Sequence, residues 1–132
     1  MNFYVASSFH NKEMVQQVVE ELKFAGFLHT YDWTKNERAS TLDELKRIGK
    51  KEREAVKNAD FLVMLMPGGA GTHVELGIAL GLNKRIYLYS PDHDIYDYER
   101  SCTFYYVDGV YKYVGLLENF IKEVTLMENN IQ

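Results

Sequence analysis

The sequence predicts a single α/β domain built on a doubly wound, mostly parallel five-stranded sheet with helices on both faces. Three observations predict it. Short apolar runs of strand length alternate with longer stretches of helical periodicity along the chain. The runs at 61–66 and 85–89 are almost continuously apolar, as strands buried on both faces of a parallel sheet are. At 132 residues, 46% of them hydrophobic, the chain holds one core and falls short of the ~150 residues usual for a domain.

Each element has its own signal. Residues 3–6 read as a short buried strand. Residues 12–24 carry Met14, Val15, Val18, Val19 and Leu22 at helical spacing, and Gly26 supplies a stop. Residues 27–31 read as a second strand that leads into the polar loop 32–39. A second helix is expected over 40–59, where Ser40-Thr41-Leu42-Asp43 has capping-box form. The strand at 61–66 gives way to a glycine loop, a helix over 72–82 and a strand over 85–89. Pro67 and Pro91 each follow a strand-like run, where proline ends a ladder naturally. After a polar loop, a short strand at 104–107 and a last helix at 113–127 are expected. The order β-α-β-α-β-α-β-β-α makes residues 1–132 one Rossmann-like (flavodoxin-like) domain.

Composition narrows the function classes. Fifteen Lys and Arg against nineteen Asp and Glu give a net charge of −4, which argues against binding a nucleic-acid polymer or a membrane surface. Cys102 is the one cysteine, so disulfide frameworks and Cys-based zinc sites are excluded, and a lone thiol suits a reducing cytoplasmic setting. The first residues lack a basic region, so no signal peptide is expected, and the run at 61–66 is too short to span a bilayer. His10, His29, His73 and His93 show no metal-ligand spacing, so neither metal nor cofactor is expected.

Sheets of this kind bind ligands beyond the carboxyl ends of their strands, at a topological switch point. The strongest signal there is Pro67-Gly68-Gly69-Ala70-Gly71-Thr72-His73-Val74-Glu75. Glycines let a backbone approach a ligand closely, and a helix start aims free N–H groups at anionic oxygens. An ordinary strand-to-helix turn also uses glycine, and Thr72-x-x-Glu75 is itself a capping box. Glu75 either folds back onto its helix or projects over the strand ends from a first turn whose dipole favours the ionised carboxylate. In the helix at 40–59, Glu52 falls in the middle of the stripe formed by Leu42, Leu45, Ile48, Ala55, Val56 and Ala59. It is a functional carboxylate on an apolar face, or one paired with Lys or Arg, or one at the edge of a narrower stripe; Lys50, Lys51, Arg53 and Glu54 read as a solvated face. Tyr31 and Trp33 on the rim either stack on a ring or lid the core. Eight of the ten tyrosines follow residue 86, which suits a homo-oligomer interface.

Three blocks together resemble the nucleoside 2-deoxyribosyltransferase-like family, which includes 2′-deoxynucleoside 5′-monophosphate N-hydrolases. They are Phe3-Tyr4-Val5-Ala6-Ser7-Ser8-Phe9; Glu52 with Asn58-Ala59-Asp60-Phe61; and Gly71-Thr72-His73-Val74-Glu75-Leu76-Gly77-Ile78-Ala79 with Lys84-Arg85-Ile86. The resemblance spans roughly 3–89, with a weaker match in the tail. It implies that Glu75 attacks the anomeric carbon, that Tyr4 lies beside it, and that Glu52, where aspartate is usual, assists departure of the base. It also implies that the tail of a neighbouring subunit completes the pocket of a homodimer. The transferases carry an aspartate six residues before the catalytic glutamate, where this chain has Gly69, so a 5′-phosphate becomes more acceptable. The loop from Pro67 to Glu75 is similar to the signature of cytokinin-activating phosphoribohydrolases, whose glycines hold a 5′-phosphate.

The expectation is therefore an enzyme that cleaves the N-glycosidic bond of a (2′-deoxy)nucleoside or its 5′-monophosphate, passing the sugar to another base or to water. Glu75, Glu52 and Tyr4 are its catalytic candidates; Ser7, Ser8, Gly68, Gly69, Gly71 and Thr72 hold sugar or phosphate, while Tyr31 and Trp33 flank the base. The alternative is a non-catalytic nucleotide-binding or sensing module in the same cleft, favoured if the two carboxyls lie more than ~10 Å apart. Cleavage of NAD or a related signal nucleotide is a third reading that no residue selects.

Overall fold

A computed structural model describes residues 1–131. Five strands, β1 (Asn2–Ala6), β2 (Leu28–His29), β3 (Phe61–Leu65), β4 (Arg85–Ser90) and β5 (Val110–Val114), form one sheet in the order β2-β1-β3-β4-β5. Every pairing is parallel. Four helices connect them: α1 (Lys12–Phe24), α2 (Leu42–Asn58), α3 (Ala70–Gly81) and α4 (Leu117–Asn129). α2 packs with α3 on one face, and α1 with α4 on the other. All five residues of β3 are buried, as expected of a central parallel strand with a helix layer on each side. Among the described residues, no helix is long and apolar enough to cross a membrane.

Local chemistry sets the boundaries. α1 buries Val15, Val18, Val19 and Leu22, the expected stripe. It stops at Gly26, whose φ of 101° only glycine adopts readily; there the Phe27 amide returns to the Leu22 carbonyl. β2 is shorter than the expected 27–31 because it pairs on one side only, with β1. α2 is capped by Thr41, whose hydroxyl accepts the Glu44 amide, while the Glu44 carboxylate accepts the Ser40 amide.

Three expectations are corrected. The apolar run 104–107 is not a strand: residues Thr103–Tyr105 form a 3-10 turn in which Tyr105 alone is buried. The fifth strand is Val110–Val114, part of which had been expected in the last helix. Its alternating β-branched and aromatic residues suit a strand, and Gly109 (φ 96°) and Gly115 (φ 148°) punctuate it at both ends. α3 also begins two residues early, with Gly69 as its N-cap. Thr72 therefore lies inside the first turn, and the capping box Thr72-x-x-Glu75 does not form.

Candidate active site

The chain leaves β1 toward β2 on one side and β3 toward β4 on the other, so a crevice opens between the carboxyl ends of β1 and β3. Its floor is Tyr4. Fully buried at the middle of β1, beside Leu62 of β3, this tyrosine directs its hydroxyl between α2 and α3. There it donates a hydrogen bond to Glu75 Oε2 at 2.5 Å and lies 3.5 Å from Glu52 Oε2. Two carboxyls from different helices thus converge on one phenol oxygen, and their separation cannot exceed the sum of those two distances.

Glu75 is 6% exposed and is the sixth residue of α3, beyond the first turn. The expected dipole effect fades within that turn, so burial dominates instead. Burial pushes the Glu75 carboxyl up to about 9 from an ordinary value near 4.5. The Tyr4 hydrogen bond pulls it down, and the Glu52 carboxyl pushes it up again. Tyr4 itself is held well above the usual phenol range by burial and by Glu75, so it keeps its proton and remains a donor. Glu52 is half-buried, at the solvent side of the pair. Two adjacent carboxyls in a dry site cannot both ionise cheaply, and Glu75, the more buried of the two, is the one that keeps its proton near neutral pH. Such a pair can supply a nucleophile and an acid in the same step.

The other candidates occupy the walls. Ser7 donates to the Leu65 carbonyl (2.8 Å) and accepts from Asn11, which also donates to the Pro67 carbonyl (2.8 Å). These bonds tie the ends of β1 and β3 together; Ser8 is half-buried beside them. Gly68 is explained by close approach, since a Cβ there would lie 2.7 Å from Thr72 Cγ2. The buried Thr72 hydroxyl accepts the Gly69 amide at 3.0 Å, so Thr72 clamps the loop. Gly69 and Gly71 face open space. The amides of Ala70, Gly71 and Thr72 have no acceptor among the described residues, so the start of α3 presents free donors. Tyr31 stands on the opposite wall, doubly hydrogen-bonded to Asn36 and close enough to Tyr4 to disfavour its ionisation.

Trp33 is a correction. Expected beside the base, it is 5% exposed and belongs to the core; its indole donates to the Val5 carbonyl at 2.7 Å and Phe9 covers it edge-on. An aromatic whose one polar group is satisfied inside gains more from burial than from the rim.

Sequence reasoning missed Asn11 and the pair His73–Tyr105. His73 bonds the Gly69 carbonyl through Nδ1 (2.8 Å) and Tyr105 through Nε2 (2.6 Å), bracing the glycine loop from the far side. Asn11, four residues after Ser7, lies in a polar stretch with no distinguishing pattern. The partnership of His73 with Tyr105 spans 32 residues and leaves no local trace.

Known proteins were compared with this geometry. A family model described as nucleoside 2-deoxyribosyltransferase matches residues 3–127. The CMP N-glycosidase of Clostridium botulinum superposes with a TM-score of 0.68 at 18% identity, covering 94% of this chain and 98% of that one. The 2-deoxyribosyltransferase of Bacillus psychrosaccharolyticus superposes with a TM-score of 0.67 at 21% identity, covering 90% and 89%. No curated protein sequence matches the chain.

Proposed function

The chain belongs to the nucleoside 2-deoxyribosyltransferase family, and from that membership we propose that it cleaves the N-glycosidic bond of a (2′-deoxy)nucleoside or nucleoside 5′-monophosphate. The observation that carries this is the convergence of Glu52 and Glu75 on the Tyr4 hydroxyl. Retaining glycosidases hold their two carboxyls ~5–5.5 Å apart, close enough for one to attack the sugar while the other serves the leaving group. The limit set by the two Tyr4 distances suits that geometry and lies inside the ~10 Å beyond which a purely binding role is the better reading.

In this mechanism the unbound pair shares one proton. As C1′ gains oxocarbenium character, its positive charge draws the negative charge onto Glu75, which Tyr4 stabilises by donating to Oε2. The proton then resides on Glu52, on the side of the departing base. Glu75 forms a bond to C1′, the C1′–N bond breaks, and water or a second base displaces Glu75 from the sugar. The free amides of Ala70, Gly71 and Thr72, with the open backbone at Gly69, receive the sugar and its 5′ substituent.

Homodimerisation belongs to the same proposal. Tyr98, Phe104, Tyr106 and Val107 are exposed in the C-terminal third, an aromatic surface that a second copy would cover. The direct test incubates the protein with a panel of nucleosides and 5′-monophosphates, with and without an acceptor base. Release of a base by the wild type, and its loss in Glu75→Ala of unchanged fold, are expected; full turnover by Glu75→Ala contradicts the assignment.

A further inference from the structure

Next to the carboxyl pair lies a second feature that the reaction above does not use. A polar cleft of about 350 Å³ opens between the loop after β2 and the first turns of α2, lined by Tyr31, Asn36, Arg38, Arg47, Ile48 and Lys51. That volume suits a small organic ligand. The cleft adjoins the site: Ile48 of its lining lies one turn before Glu52 on α2, and Lys51 immediately precedes Glu52. Tyr31 forms the wall shared with Tyr4.

The charges in this cleft are unbalanced. Among the described residues Arg38, Arg47 and Lys51 make no ion pair and no side-chain hydrogen bond, so their charges are available to a ligand. Two carboxylates share the lining, Glu37 and Glu44. Glu44 is already engaged at the start of α2, where it accepts the Ser40 amide at 2.9 Å. Three cations against two carboxylates leave the lining with one net positive charge, and the Glu44 carboxylate is turned toward the backbone of its own helix start. In a molecule of net charge −4, that is a local inversion of sign.

The position of the cleft says which part of a substrate meets it. If Glu75 attacks C1′ and Glu52 serves the leaving group, the base lies on the Glu52 side, which is the side of this cleft. We propose that the cleft is the leaving-base subsite and that it selects nucleosides of oxo-substituted bases, which depart as anions, over amino-substituted bases, which depart best when protonated. This inference rests on the glycosidic reading above. When the C1′–N bond breaks, its electron pair stays on the base nitrogen and spreads onto the ring oxygens, where guanidinium and ammonium groups stabilise it. The anion then takes its proton from Glu52, and water or a second base releases the sugar from Glu75. The same cations oppose a base that must gain a positive charge before it leaves. The Tyr31 ring, held by two hydrogen bonds to Asn36, offers a fixed face on which the heterocycle stacks.

The experiment compares 2′-deoxyuridine and 2′-deoxyinosine with 2′-deoxycytidine and 2′-deoxyadenosine, each with and without a 5′-phosphate. The proteins are the wild type, Arg38→Ala and the double variant Arg47→Ala/Lys51→Ala. All three side chains are exposed, so an unchanged melting temperature serves as the folding control. Binding of free uracil and hypoxanthine, against cytosine and adenine, is measured by calorimetry on the same proteins. The expected result is a preference for oxo bases of about tenfold or more in the wild type, falling toward parity in the double variant. Equal rates on both classes, or a double variant that loses only its response to the 5′-phosphate, would overturn the assignment. In the latter case the cations belong to the sugar's phosphate. If no nucleoside is cleaved while uracil and hypoxanthine bind preferentially through these cations, the subsite stands and the glycosidic reading fails. Absence of both cleavage and preference removes the subsite as well.

Discussion

The two walls of the crevice differ in how far their polar groups are already committed. On the glycine-loop side, Thr72 holds the Gly69 amide, His73 holds the Gly69 carbonyl, and Tyr105 holds His73. That wall is braced from within, and what it offers is shape and a few backbone donors in fixed positions. On the α2 side, Arg38, Arg47 and Lys51 have long side chains with no partner among the described residues. Rigid, neutral donors suit a sugar whose shape varies little, whereas mobile cations suit a group whose charge changes during the reaction. Between the walls sit the groups on which the proposed chemistry depends, and the largest effects are expected there.

Replacing Glu75 by Gln removes the proposed nucleophile and should lower the rate by about 10⁴-fold or more without disturbing either wall. The same change should stabilise the fold at alkaline pH. Because the folded protein holds the Glu75 proton up to about 9 and an unfolded chain only to about 4.5, the wild type loses stability as pH rises through that window. Thermal melts at pH 5 and pH 8.5 check this, and a wild-type melting temperature no more pH-sensitive than that of Glu75→Gln contradicts it. Tyr4→Phe should come next, at about ten- to a hundredfold in rate, the worth of one hydrogen bond to a charged group. Without that donor the Glu75 carboxyl moves higher still, so the alkaline limb of the pH–rate profile, where the pair loses its one proton, should shift upward, a readout that a loss of packing would not produce.

The braced wall predicts a smaller effect, on stability. Gly68→Ala forces a Cβ to within 2.7 Å of Thr72 and should destabilise by about 1–3 kcal/mol. Gly71→Ala meets open space inside a helix and should be neutral or stabilising by up to about 1 kcal/mol. Equal melting temperatures for the two variants would mean that the loop is not clamped as described. The smallest effect concerns His29, away from both walls. Its Nε2 is buried without a partner among the described residues, and the ring stacks on Phe3 (centroids 4.9 Å apart). Burial lowers its pKa from 6.5 to about 4. Stability from the neutral ring is complete above pH 6.5 and lost as pH falls through about 4, so His29→Phe should flatten the acid side of a pH–stability curve.

The contrast between the walls also accounts for what the sequence made legible. The stripe of α1 and its stop at Gly26 were readable because both are local: spacing of apolar residues and one positive φ. Glu52 stands out in the sequence by interrupting an apolar stripe, of which the structure buries the part at Ala55, Val56 and Ala59 while Leu42 and Leu45 stay exposed. The glycine loop was conspicuous too, yet much of what it does is hold itself together, since Gly68 is small for the sake of Thr72. The fifth strand was misplaced because the denser apolar run at 104–107 outweighed the weaker alternation at 110–114. Tertiary packing buried Tyr105 in a 3-10 turn and left its neighbours exposed. Trp33 was assigned to the rim because nothing nearby reveals that its indole reaches the Val5 carbonyl, 28 residues away. Lys50, Lys51 and Arg53 are exposed, as a solvated face should be, but a charge run carries no sign of the cleft that Lys51 lines.

The central claim is that Glu75 becomes covalently bound to the sugar. It is tested most directly by intact-mass and peptide mass spectrometry of the protein quenched during turnover, with Glu52→Gln used to slow release. The account predicts one sugar residue attached to the peptide containing Glu75, absent from Glu75→Gln. Base release without any adduct, accompanied by inversion at C1′, would contradict it.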